Sequence, residues 1–168
     1  MSLSMYSSSI PCFIRALNNL SAILTKGAAH AEANEIDPSI LVTYRLFPDM
    51  FPLSRQVQIA CDIAKGAGAR IAGVDAPSHE DTESSFEELQ ERINKTVEFL
   101  KSIPEDSING SEEKEIKFKA GPYEIDFVGA SYLSIWALPN LYFHVTTTYN
   151  ILRHNGVELG KIDYVGAP

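Results

Sequence analysis

From Ile10 onward, apolar side chains return at every third or fourth position. Ile10, Phe13, Ile14, Leu17, Leu20, Ile23 and Leu24 fall on one stripe of a 3.6-residue helix. The same period recurs in later stretches and, broken by a proline, in the last of them. Stripes of this kind must be buried against one another, so helix-on-helix packing is the architecture open to the chain. Ser7-Ser8-Ser9 leads into the first stretch, and Pro11 falls in its first turn, where a missing N–H costs nothing. The pattern fades near Ala33.

Asp37-Pro38 opens a short segment, Ile40 to Phe47, expected to make a turn or two of helix before Pro48 and Pro52 break the chain. A second long helix is expected from Leu53 to Ile71. Its middle is rich in small residues (Ala60, Cys61, Ala64, Gly66, Ala67, Gly68 and Ala69), which let neighbours approach closely and make it the central element. Each glycine there weakens an isolated helix by ~1 kcal/mol relative to alanine, so tertiary packing must hold it. After a loop containing Pro77, Ser85 and Glu88 form a capping-box signature. Phe86, Leu89, Ile93, Val97 and Leu100 mark the buried face of the third helix, which Pro104 ends. Glu115 to Lys119 and Tyr123 to Phe127 alternate apolar and charged residues around Ala120-Gly121-Pro122, the pattern of a β-hairpin. The fourth helical region, Gly129 to His154, contains Pro139, which should kink or split it, and Asn155-Gly156 suits a left-handed cap. The tail from Val157 shows no usable period. The expected fold is all-α, an up-down four-helix bundle with a small β-hairpin between helices three and four, forming a single domain over residues 1–168.

A net charge of −8 with scattered Lys and Arg argues against a nucleic-acid partner, which needs a basic stripe to displace counterions. No stretch approaches the ~20 apolar residues needed to cross a bilayer, so no membrane role is expected. The two cysteines, Cys12 and Cys61, lie inside apolar helical patterns, and no secretion signal opens the chain. A reduced, cytoplasmic setting is the expectation.

Four strings carry a resemblance that spans essentially the whole chain: Ser4-Met5-Tyr6, Pro48-Asp49-Met50-Phe51-Pro52-Leu53, Asp62-Ile63-Ala64-Lys65-Gly66-Ala67, and Ala137 through Thr147. With Ile151-Leu152-Arg153-His154-Asn155-Gly156 and the hairpin, they resemble the DinB/YfiT-type bundles, and within them the bacterial group called domain-of-unknown-function family 1993 (DUF1993). The resemblance implies a fold, while the group itself carries no assigned activity. Members of the wider superfamily often hold a divalent metal through three histidines, one on the second helix and two spaced i, i+4 near the end of the fourth. Matched one position at a time, that set becomes Asp62, Asn150 and His154: one histidine where the motif wants three. His144 lies ten residues before His154, about 15 Å along a straight helix and roughly 80° around it. His30 and His79 have no partner at ligand spacing. No metal or other cofactor is therefore predicted, beyond at most a weakly held divalent ion.

The candidate pocket is placed between the second and fourth helices, at Asp62, His144, Asn150 and His154. His144 shares a face with Thr148, Ile151 and Asn155, and either walls a polar pocket or satisfies itself by hydrogen bonds within the bundle. His154 sits where a helix C-terminus favours its charged form. Asp62, with Arg55, Gln58 and Lys65, reads as part of a solvated charged face. Cys61 reads as a small core residue. The leading functional expectation is a small-molecule-binding bundle, forming a homodimer, with a degenerate metal site. The alternatives are a metal-dependent enzyme of the superfamily's thiol-transferase or hydrolase kind, and a structural homodimeric interaction module. Whether the chain catalyses a reaction is left open by these residues.

Overall fold

A computed structural model describes residues 3–167. Helix α1 spans Ile10–Ala33 with Pro11 in its first turn, and its apolar stripe is buried from Ile10 through Ala31. A short α2, Pro38–Val42, is capped by Asp37, whose carboxylate accepts from the Ser39 N–H. It stops well before the expected Phe47, whose ring is left exposed. Helix α3 runs over Leu53–Ala72 and ends at Gly73, where φ is 77° and the N–H returns to the Ala69 carbonyl. Helix α4, Phe86–Lys101, begins with the expected capping box: the Ser85 side chain accepts from the Glu88 N–H, and Glu88 reaches back to the Ser85 N–H.

Strands β1 (Glu115–Ala120) and β2 (Tyr123–Val128) pair antiparallel, Ala120 opposite Tyr123. Gly121 opens the tight turn between them with φ 59°, the sign that primed hairpin turns require. β2 leads directly into α5, Gly129–Ser131, then a π-helical segment, Tyr132–Ala137, and then α6, Leu138–His154. Pro139 lies in the first turn of α6. Proline has no N–H to give and its ring displaces the carbonyl one turn back, and the wider π-turn absorbs that disruption without a break in the rod. A last short helix, α7, Lys161–Val165, packs on α1. Arg15 and Asn19 of α1 donate to the Val165 and Tyr164 carbonyls, and Lys26 pairs with Asp163 at 2.7 Å. The sequence shows no period there because a helix of this length is formed by its docking.

The long helices form the bundle: α3 packs most extensively on α6, and α1 meets α4 and α6, while α4 also meets α3. The hairpin lies outside, over the end of α3 and the π segment, with Phe118 edge-on to Tyr132 and Trp136. Among the described residues no helix is long and apolar enough to cross a membrane.

Two glycines mark close approaches. A Cβ at Gly68 would stand 2.8 Å from Leu100 and 2.9 Å from Ile103, at the α3–α4 contact. At Gly129 it would meet the Ser111 carbonyl oxygen at 2.0 Å, while the Gly129 N–H donates to Lys114 O. We expect Gly68→Val to cost about 3 kcal/mol by overpacking, and Gly129→Ala a similar amount, because a backbone oxygen cannot yield as a side-chain end can. Urea unfolding at pH 7 measures both. Wild-type midpoints in the two variants would show that neither contact is tight.

Candidate functional site

A cleft of about 290 Å³ opens between α3, α6, the π segment and the hairpin. Its α3 wall carries Asp62 and Arg70, two turns apart on one face. Its α6 wall carries Trp136, Asn140 and His144, spaced i, i+4, i+8 through the π segment into the helix. Phe118 of β1 closes the hairpin side. Asn140 donates its side-chain N–H to the Trp136 carbonyl at 2.7 Å, and among the described residues no group donates to its Oδ1.

His144 is buried, with Nδ1 2.7 Å from Gln56 Oε1. The amide of Gln56 is oriented by its own Nε2, which donates to the Phe51 carbonyl at 3.1 Å. Oε1 is thus the acceptor, Nδ1 carries the proton, and Nε2 is a bare acceptor. Burial, with the Arg55 charge nearby, pushes the imidazole down from 6.5 to about 4, so it is neutral at pH 7. Between those two values the unfolded chain holds a proton that the folded chain does not. Its contribution to stability is therefore complete above pH 6.5 and is withdrawn as pH falls toward 4. We expect the wild type to lose about 2 kcal/mol more than His144→Gln between pH 7 and 4.5. Urea titrations of both proteins at the two pH values check this, and parallel losses would refute it.

Behind Asp62 lies a network of charges. The Arg92 side chain, only 1% exposed, donates to Asp62 Oδ1 at 2.9 Å, Asp81 Oδ1 at 3.0 Å and Glu83 Oε1 at 2.9 Å. Lys65 Nζ also reaches Asp62 Oδ1, at 2.9 Å. Gln58 donates to Glu83, and Arg55 pairs with Asp81, so the loop before α4 is fastened to α3. This corrects the solvated-face expectation: Gln58 and Lys65 are buried, because Arg92 of α4 brings a cation into the interface that gathers the acids around it. Removing one partner of a buried set strands the others. Arg92→Met is expected to lower stability by about 3–5 kcal/mol. Lys95→Met, on the exposed side of the same helix, should cost under ~0.5 kcal/mol. Thermal and urea unfolding compare the two, and equal effects would contradict the role given to Arg92.

The structure brings two of the sequence candidates together: Asp62 and His144 line one cleft. Asn150 and His154 lie outside that lining. Both are exposed, and the His154 ring stands 6.1 Å from Tyr44. Within the cleft the i, i+4 pair on α6 is Asn140 and His144. Sequence reasoning missed Gln56, Arg70, Phe118, Tyr132 and Trp136. The Asn140–His144 spacing was the available signal, and Trp136 one turn earlier continued it.

The donors do not fit the superfamily's metal. They are one imidazole, one carboxylate and one amide, and the carboxylate already neutralises Lys65 and Arg92. A divalent ion at Asp62 would meet two cations at the same oxygen. Among the described residues no group of three His, Cys, Asp or Glu side chains is placed to hold a metal. Burial pushes the Cys61 thiol up to about 12, so it remains protonated and packs as a core residue.

Helix order, hairpin and cleft together define a DinB-like helical bundle. A crystal structure of a DinB family member protein from Shewanella denitrificans matches with a TM-score of 0.89 at 41% sequence identity, covering 97% of this chain and 92% of that one. The profile described as domain of unknown function (DUF1993) matches residues 5–165, and the chain belongs to that family. Among curated proteins there is no significant match.

Proposed function

We propose that the chain is a small-molecule-binding bundle whose ligand lies in the cleft between α3, α6 and the hairpin. One combination carries this reading: the neutral His144, with Nε2 bare, and Asp62 line a single cleft together with an aromatic wall made by Phe118, Tyr132 and Trp136. Ligand clefts combine an apolar body with a few fixed polar groups in this way. Nε2 of His144, Oδ1 of Asn140 and the carboxylate of Asp62 are all acceptors at pH 7, so they suit a ligand end bearing hydroxyl or amine hydrogens. At about 290 Å³ the cleft is at the small end for ligand sites, with room for on the order of ten non-hydrogen atoms. Trp136 is the sole tryptophan, so its emission reports on the cleft directly. A fragment screen should give compounds that change this emission in the parent and lose their effect in His144→Ala.

A second reading, a metal-dependent enzyme of the superfamily, draws support from one feature. His144 gives its Nδ1–H to Gln56 and keeps Nε2 bare, as metal-bound histidines do. Protein purified without chelator or polyhistidine tag separates the two readings. We expect well under one ion per chain by elemental analysis, and no rise in melting temperature with Zn²⁺, Ni²⁺ or Mn²⁺. A stoichiometric ion that is lost in His144→Ala would establish the second reading in place of the first.

A further inference from the structure

The guanidinium of Arg70 is seated in the cleft wall by three separate contacts. It stacks on the Phe118 ring, with Cζ 4.1 Å from the centroid. Its Nη1 donates to the Tyr132 hydroxyl at 3.1 Å. It also lies back along α3 over Gly66, where a Cβ would stand 2.6 Å from Nη1. A methyl at 66 would make the guanidinium shift from this position, so the glycine, though costly in mid-helix, gives it room to lie there. Folding back one turn places the cation level with Gly66, about 6 Å along the helix axis from Asp62.

No carboxylate pairs with Arg70 among the described residues. The nearest acid on its own face, Asp62, is already held by Lys65 and Arg92. Arg70 is only partly buried, unlike Arg92, which is almost fully buried and meets three acids. Arg70 instead turns a planar, preorganised cation toward the cleft, stiffened by an aromatic face on one side. Its remaining N–H groups have no acceptor in the chain among the described residues. Such a fork matches the two oxygens of a carboxylate. Trp136 and Phe118, packed edge to face with ring centroids 6.1 Å apart, give the cleft an apolar wall beside it against which a flat apolar body can lie.

Building on the small-molecule reading above, we propose that the ligand is a small aromatic carboxylic acid. Its carboxylate sits on Arg70, its ring lies against Trp136 and Phe118, and its far end faces His144 and Asp62. The alternative role for Arg70, pinning the hairpin to the bundle, predicts no preference between charged and neutral ligands.

Phenylacetate and its neutral counterpart phenylacetamide, titrated against Trp136 emission at pH 7, distinguish the two. We expect phenylacetate to bind at least tenfold more tightly. Arg70→Met should remove that preference while leaving phenylacetamide unchanged. Gly66→Ala keeps the charge and favours the helix, so it should weaken phenylacetate at least fivefold with no loss of folding stability. Equal binding of the two compounds by the parent would overturn the anion assignment while leaving the cleft itself as the site. So would a Trp136 that answers neutral fragments but not phenylacetate at millimolar concentration. Silence of Trp136 toward every compound would remove both this inference and the reading on which it rests.

Discussion

Helix α3 touches each of the other long helices, and along its middle it does so largely with small side chains. Ala60, Cys61, Ala64, Ala67 and Gly68 are all buried along its length. At Gly68 the leucine and isoleucine ends of the α4 region sit within van der Waals distance of the backbone. Close backbone approach increases dispersion contact and excludes water, but it leaves the helix with little intrinsic stability. The bundle and α3 therefore hold one another. The arrangement also frees the remaining strip of α3 for other work, because the core does not need it. Asp62, Gly66 and Arg70 occupy that strip, and the two mid-helix glycines have different purposes: Gly68 admits a neighbouring helix, and Gly66 admits a guanidinium.

Charge is distributed across α3 in the same divided manner. On the α4 side, Arg92 and Lys65 meet Asp62, Asp81 and Glu83. On the α6 side, desolvation keeps His144 neutral, and its one bonded nitrogen is committed to Gln56. Arg70 is what remains. Among the described residues no carboxylate pairs with it, and the aromatic wall that supports it lowers the local dielectric, which would strengthen its pull on the anion proposed above.

Helix limits were legible wherever a local rule governs them. Pro11, the Ser85–Glu88 box and Gly73 all act within a turn of their own position, and α1 and α4 begin, and α3 ends, within about a residue of where these signals lie. The hairpin was legible through strict alternation. What could not be read were the features set by non-local partners. α7 exists because Arg15, Asn19 and Lys26 hold it. Asp62 appeared solvated because the cation that buries its neighbours belongs to a helix thirty residues later. Asn140 and His144 line the cleft, whereas Asn150 and His154 of the same helix do not, because His154 lies ten residues, about 15 Å, further along the rod than His144.

The donor set also alters the electrostatic terms of the site. A three-histidine centre presents neutral donors, and its positive charge arrives with the ion. In this chain the same region presents one imidazole, and the positive charge belongs to the protein, fixed in Arg70 and shared between Lys65 and Arg92 around Asp62. A divalent cation and a seated guanidinium compete for one role, that of holding the electron-rich end of a ligand. On the proposed reading, the seated guanidinium supplies the positive charge that a metal brings elsewhere, and an anionic ligand is the group that complements it.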